Sequence, residues 1–435
     1  MADTPQLITD ATISGVLKNV YAAFRENTFP IATPLLAQLK KGKPGGPERM
    51  QWGGNGVYWD VKLTRPVGMN GSQLGYFPPH AVVTEQQANV GIKRTYVTRQ
   101  IDALADSGTQ SREAAFVNIT RKIVEEALDA ARLGQQEILH GDGLGIKGVT
   151  TTVSSSTSVV VTKPYGIASS GQGGLLIDVG MYVAVVDSTG ATVRGRSTIS
   201  AVSNSGDSAT VTFATAIAGM LTTDLVVAAS TSDTSYNQVP NGLTNMLNRG
   251  GSYNNLHGID AGTYARWDGI RLTAGTDTDD ASQPTEMDVW KLIRVVAGKS
   301  GKDAQMTPSE FLLLTTPGLV KKIGETFLGQ RRWDMGMRTL QGGFGALELC
   351  GLPVISDYWC PAGTIYLIHT PSLSWVDKMD WTKLVFEGAG PWRFIAGRDA
   401  YEVDFGAYWN TCVLNRICNG MLVGYTDTQR FSHVV

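Results

Sequence analysis

Gly143-x-Gly145-x-x-Gly148, within HGDGLGIKGV, has the spacing of a dinucleotide-binding loop, where glycines let backbone amides approach a pyrophosphate. That chemistry needs a strand before the glycines and a helix after them, because a helix N-terminus supplies the amides and the positive end of the dipole. Here the order is reversed. Helical periodicity runs from Ser111 to His140 into the glycines, and a β-rich region follows. The dipole end facing this turn is negative and repels phosphate, so the triplet reads as a helix stop and hinge. Gly298-Lys299-Ser300 imitates the end of a phosphate loop, but Ile293 stands where that motif's first glycine belongs, and the triplet closes a helical run. The acidic run Thr276-Asp277-Thr278-Asp279-Asp280 lacks the glycine and the distal glutamate of a calcium loop and reads as a solvated turn.

The five histidines (His80, His140, His257, His369, His433) include no i, i+4 pair, so there is no zinc helix of the HExxH type, and no GxSxG elbow exists for a serine hydrolase. No residue is nominated as catalytic, cofactor-binding or metal-ligating, and no cofactor is expected. Cys350, Cys360, Cys412 and Cys418 form no CxxC pair and read as reduced, buried thiols. The opening MADTPQLITDATISGVLKNVYAAF has no basic stretch leading into an apolar core, and no run of apolar residues is long enough for a membrane span. These features predict a soluble intracellular protein. With 37 basic and 39 acidic residues in 435, the net charge of −2 gives no strong attraction for nucleic acid or anionic lipid.

Elements follow from periodicity. Residues 1–40 carry two short amphipathic runs (Ile13, Leu17, Val20, Tyr21, Phe24; then Leu35, Leu36, Leu39) before KKGKPGGPER breaks all regularity, which reads as an arm. In VYWDVKLTRP, Val57, Trp59, Val61 and Leu63 alternate with polar residues, and ANVGIKRTYVTRQID returns after a Gly/Pro-rich tip. Two long strands and a tip make a protruding hairpin, which is marginal alone and needs a surface such as a neighbouring copy. The helix predicted over Ser111–His140 would span roughly 45 Å; Phe116, Ile119, Ile123, Ala127 and Ala130 mark its inner stripe, widened by Val117, Val124, Leu128 and Ala131. Arg121 to Glu125 and Asp129 to Arg132 have surface ion-pair spacing. Residues 151–230 hold 25 Ser or Thr and only 7 charged residues, and their short apolar runs (SVVVT, MYVAVV, ATVRGRSTI, ATVTFA, DLVVAAS) predict a small inserted barrel or sandwich. Further on, Thr285 caps a helix with Val289, Leu292, Ile293 and Val296 inward and Gly298 at its end; Thr307-Pro308-Ser309-Glu310 signals another helix start. LPVISDYWCPAGTIYLIH reads as strand, turn, strand, and Asn419-Gly420 between apolar runs predicts a hairpin.

The order of these elements resembles the major capsid proteins of tailed bacteriophages with the Hong Kong 97-type fold. EEALDAARLGQQEILHGDGLGIKGV resembles that family's spine helix and following turn. YNNLHGIDAGTYARWDG, with Gly258-Ile259-Asp260 and Trp267, LELCGLPVISDYWCPAGTIYLI and NTCVLNRICNGMLVGY resemble its later segments. The resemblance implies an α+β fold with an N-terminal arm (1–50), an extended loop (51–100), a peripheral domain with the spine helix (101–150), an inserted β domain (151–235), an axial domain (236–380) and a return to the peripheral domain (381–435). It implies pentamers and hexamers of this chain closing an icosahedral shell around DNA, in the virion, with weak non-specific contact to the packaged DNA. It also implies a separate scaffolding protein, a portal, a decoration protein, and no membrane. An encapsulin-like compartment is the near alternative. A carbohydrate-binding role would rest on the Ser/Thr-rich insertion, where only Tyr165, Tyr182 and Phe213 could form a stacking platform; a nucleotide-dependent enzyme would rest on the two glycine motifs already discounted.

Overall fold

A computed structural model describes residues 34–39, 41–42, 51–54, 56–64, 83–104, 119–167, 173–328, 348–385 and 390–427. Leu373–Lys383 and Ala400–Val413 run antiparallel through the centre of a five-stranded sheet. Lys93–Asp102 pairs along the other side of Ala400–Val413, Arg393–Phe394 adds a short pairing, and Lys41–Gly42 lies parallel to Leu373–Lys383. Helix Ile119–His140 packs on this sheet, with Ile123, Ala127, Ala131 and Leu139 all buried; residues four apart are neighbours on a helix, and the row drifts round it. Ala127 meets Val403 and Phe405, with Val97 and Val124 beside them. Val124, Leu128 and Ala130 are half-buried flanks, while Phe116 and Val117 lie outside the described residues. Asp129 and Arg132 pair at 3.7 Å and Lys122 and Glu126 at 3.4 Å; the Arg121 side chain lies outside the described residues.

The helix stops where the glycines predict. The Gly141 N–H donates to the Ile138 carbonyl, and Gly143 (φ 82°) and Gly145 (φ 75°) take left-handed conformations that a side chain would strain. Beyond them a closed six-stranded barrel forms, in which neighbours run Ser208–Phe213, Ser158–Thr162, Ile146–Ser155, Leu225–Ala228, Tyr182–Val186, Val193–Ser205 and back to the first. All five apolar runs singled out in the sequence contribute strands. The sixth, Ile146–Ser155, starts before residue 151 and hides among threonines and serines. Alternate residues (Val159 and Val161, Val183 and Val185, Ala209 and Val211) fill the interior with Ile199, Phe213 and Val226.

The second sheet has six strands in the order Arg271–Thr273, Gly420–Val423, Ile365–His369, Phe311–Thr315, Leu352–Ser356, Glu348–Leu349. Helices Glu286–Ser300 and Pro317–Leu328 cover one face, closing a core of Val289, Leu292, Ile293, Leu319, Leu313 and Leu367. Its other face (Leu312, Leu314, Tyr366, Ile368, Met421) meets Leu139, Trp375 and Trp409, the two indoles stacked at 4.1 Å. Thr285 caps its helix as expected, in a reciprocal box with Asp288.

Three expectations fail here. Helix Glu286–Ser300 runs through Gly298 and is closed by Gly301 at φ 72°. Thr307-Pro308-Ser309-Glu310 makes only a single 3-10 turn with no side-chain cap, because the five residues after it, Phe311–Thr315, are all buried as a central strand. Asn419-Gly420 makes no hairpin: Ala400–Val413 and Gly420–Val423 belong to different sheets, and Asn419 is extended (φ −117°). Its buried amide is spent on tertiary bonds, accepting from the His369 N–H (2.8 Å) and donating to Ser372 Oγ (2.7 Å). Leu352–Ser356 and Ile365–His369 are strands flanking a turn, but Phe311–Thr315 lies between them, parallel to the first and antiparallel to the second.

Candidate assembly elements and the polar hub between them

Gln136 and His140 stand one turn apart at the end of the long helix and both are fully buried. Asp357, just past strand Leu352–Ser356, accepts from both: His140 Nε2 lies 2.9 Å from Asp357 Oδ2, and the Gln136 amide donates to the same oxygen. The other oxygen accepts the Trp359 N–H at 3.0 Å. Gln136 Oε1 in turn accepts the Leu36 N–H at 3.1 Å, and the His140 carbonyl accepts the Thr244 hydroxyl at 2.8 Å, itself 2.9 Å from the Tyr366 hydroxyl. Burial pushes the Tyr366 phenol and the neighbouring Cys360 thiol well up, so both stay protonated. A buried polar network survives only when its members are paired. This one ties the arm, the long helix, the second sheet and the segment leaving the barrel into one junction.

The arm is anchored on its own body. Leu35 is buried in the core between the two sheets, and Lys41–Gly42 extends the first sheet. The hairpin base is anchored too: Gly56–Lys62 and Glu85–Gly91 pair antiparallel, Gln51–Gly53 adds a third strand, and Val57, Trp59, Leu63, Ala88 and Val90 pack on Ile259, Trp267, Val376 and Cys412. The expected need for a neighbouring surface therefore does not arise at the base. The expected tip, GMNGSQLGYFPPH at 68–80, falls within residues 65–82, which lie outside the described residues. The returning run divides, since Lys93–Asp102 leaves the hairpin and joins the first sheet.

Gly258-Ile259-Asp260 and Trp267 form the floor under that base. Gly258 is left-handed (φ 81°), Ile259 is buried, Asp260 caps the turn by accepting from the Gly262 and Thr263 N–H groups, and the Trp267 indole donates to the Leu256 carbonyl at 3.0 Å. His257 lies edge-on to Trp59 at 5.2 Å and accepts the Val413 N–H. Burial, assisted by Arg416, pushes its pKa down to about 3, so the ring is neutral. Arg416 is wholly buried, its guanidinium donating to the carbonyls of Met246, Asn248, Tyr253 and Trp267. Sequence reasoning passed over this residue; a lone arginine between apolar runs carries no spacing signal.

The residues that mimicked chemistry are structural. Gly298, Lys299 and Ser300 form the last helical turn, with Ser300 Oγ returned to the Val296 carbonyl. In the acidic run, Asp277 accepts the Thr273 N–H and Asp280 the Ser282 N–H. His369 faces Glu310 at 3.1 Å; His80 and His433 lie outside the described residues. Among the described residues no cluster of three or more His, Cys, Asp or Glu could hold a metal ion, and no helix is long and apolar enough to cross a membrane. Outward-facing apolar side chains do occur: Met287, Trp290 and Met306 near helix Glu286–Ser300, with Arg294 stacked 5.0 Å from the Trp290 ring, and Phe394 against Tyr401 at the end of the first sheet.

The chain superposes on a subunit of the capsid asymmetric unit of cyanophage A-1(L) with a TM-score of 0.54 at 13% identity, covering 96% of this chain and 99% of that one. The chain has the fold of a phage capsid subunit. This is the α+β architecture implied by the Hong Kong 97-type resemblance, the inserted barrel included. A capsid chain of a native GTA particle aligns at TM-score 0.48 and 9% identity over 96% of this chain and 97% of that one. A chain of the SrpI encapsulin complex from Synechococcus elongatus aligns at 0.44 and 9% over 97% and 96%. No protein-family model and no curated protein matches the sequence.

Proposed function

We propose that this chain is the major capsid protein of a tailed phage, assembling through pentamers and hexamers into the icosahedral shell around the packaged DNA, and that it has no catalytic role. The observation that carries this reading is agreement in fold with a capsid subunit over 96% of this chain and 99% of that one, with neither chain leaving a large part unmatched. Exposed tryptophan, methionine and phenylalanine on the second-sheet helix and at the end of the first sheet support it, because such residues are enriched where protein surfaces meet. The divisions drawn from the resemblance belong to the same proposal: an N-terminal arm (1–50), an extended loop (51–100) with its reaching tip, a peripheral domain with the long helix (101–150) to which 381–435 returns, an inserted β domain (151–235) and an axial domain (236–380). So do a separate scaffolding protein, a portal, a decoration protein and weak, salt-sensitive contact with DNA.

Electron microscopy of the purified chain, alone and with its scaffold, tests the reading. Rings of five and six and closed shells are the expected products. A monodisperse monomer or dimer under both conditions overturns it, and shells that enclose a cargo protein instead of DNA assign it to the encapsulin-like alternative.

A further inference from the structure

The barrel leaves and rejoins the body through two adjacent crossings, the Gly141–Gly145 turn and the return through residues 229–242, tied together where the Asn237 N–H donates to the Leu144 carbonyl. A third contact comes from the turn Pro164–Gly166, which projects Tyr165 out of the barrel and buries it against the body. There the Tyr165 hydroxyl donates to the Trp359 carbonyl at 2.8 Å, and the ring joins Leu176, Trp359, Leu133 and Tyr358 in a small apolar cluster. This turn is strained. Lys163 (φ 53°) and Tyr165 (φ 61°) both occupy the left-handed region, which costs a non-glycine residue about 1 kcal/mol or more and persists only where the surroundings enforce it. Between the glycines of the first crossing sits Asp142, only 6% exposed, with Oδ1 accepting the Leu144 N–H at 2.9 Å and Oδ2 turned towards Gly166 of the same strained turn.

We infer that the barrel is a latched hinge: it pivots about Gly141–Gly145, Tyr165 latches it to the body, and ionisation of Asp142 loosens the latch. The titratable groups that feel the Asp142 charge are Tyr236 on the returning connection and Tyr253 of the body; His140 stands two residues before it, the Glu137–Lys147 ion pair joins the helix end to the first barrel strand, and Tyr165 belongs to the turn whose Gly166 its Oδ2 faces. The two outer phenols are pushed up by burial and by the Asp142 charge, so they stay neutral. The one cation among these groups, Lys147, is spent on Glu137. Burial therefore raises the Asp142 carboxyl from 3.8 to about 6, against the pull of the Leu144 N–H. With the latch open and the carboxyl hydrated, its pKa returns towards the ordinary range, so opening is favoured as pH rises from about 4 through 6. The strain stored at Lys163 and Tyr165 is released in the same step.

Hydrogen exchange on the full chain, corrected for the pH dependence of the intrinsic rate, tests this. The amides of Leu144, Gly166 and Ile167 should open roughly a hundredfold more often at about pH 7 than at about pH 4, levelling off above 6, while Val183 and Val211 inside the barrel stay protected. Asp142→Asn should flatten the dependence. Tyr165→Phe should raise opening at every pH and keep the slope. Wild-type latch amides indifferent to pH, barrel strands opening along with them, or a slope retained in Asp142→Asn each overturn the inference.

Discussion

At the scale of single residues, two buried groups of opposite sign bear on the molecule's pH response. His257 is neutral when folded, with its pKa depressed to about 3 against an ordinary 6.5. Its contribution is intact above pH 6.5 and is lost as pH falls towards 3, because only the unfolded chain takes the proton. By pH 5 that amounts to about 2 kcal/mol. Asp142 works the other way: its raised pKa stabilises the folded state below about 4 and is lost as pH rises through 6. Thermal unfolding between pH 5 and 7 should therefore show a steeper acid loss in Asp142→Asn than in wild type, and a shallower one in His257→Gln, whose amide can still accept the Val413 N–H. Parallel curves for all three would refute the assignment. Arg416 makes a sharper case. Its planar fork serves four carbonyls, whereas an ammonium has three donors at one point. Even the charge-conserving Arg416→Lys should cost about 2–3 kcal/mol, read from the urea midpoint, because it strands buried carbonyls of the loop under the hairpin.

Elements show where a strap ends and an anchor begins. Pro34–Gln38 sits in the core through Leu35 and on Gln136 through the Leu36 N–H, so a chain starting at Pro34 keeps this anchor. One starting after Gly42 should lose about 2–5 kcal/mol from Leu35 alone and leave the Gln136 carbonyl oxygen unpaired. Equal melting temperatures for the two truncations would remove the anchor. Leu35 was legible as one member of an amphipathic run; its role as anchor was not, since its partners Leu139 and Trp375 come from far along the chain. The same division holds elsewhere. Local signals placed the long helix, its glycine stop, Thr285 and five of six barrel strands, because periodicity and capping are properties of neighbouring residues. The Asn419-Gly420 pair misled because its amide serves His369 and Ser372 across two sheets, and Thr307–Glu310 misled because tertiary burial of Phe311–Thr315 outweighs a local start signal. The hub of Gln136, His140 and Asp357 was invisible for a third reason: Asp357 stands over two hundred positions from the helical pair and no spacing rule joins them.

For the whole molecule, the central question is which parts fold alone and which wait for neighbours. The hairpin base has its own core, and the ladder is closed at its outer end by the Leu63 N–H on the Thr84 carbonyl (2.9 Å), the Thr84 N–H on Thr64 Oγ1 (2.6 Å) and the Lys62–Glu85 ion pair (3.3 Å). These closing contacts join described residues on either side of 65–82. Replacing 65–82 with a short Asn-Gly turn shortens the loop, which relieves closure entropy slightly and should leave the melting temperature of the isolated subunit within a degree or two. If the chain assembles as proposed, the same variant should fail to close shells while still folding, because the segment that reaches a neighbour is gone and the protomer's core is untouched. Light scattering with negative-stain imaging separates the outcomes. A folded variant that still forms complete shells would place the assembly contacts elsewhere, on surfaces such as Met287, Trp290 and Met306. A variant that unfolds would show that the tip belongs to the protomer's own core and acts as no strap.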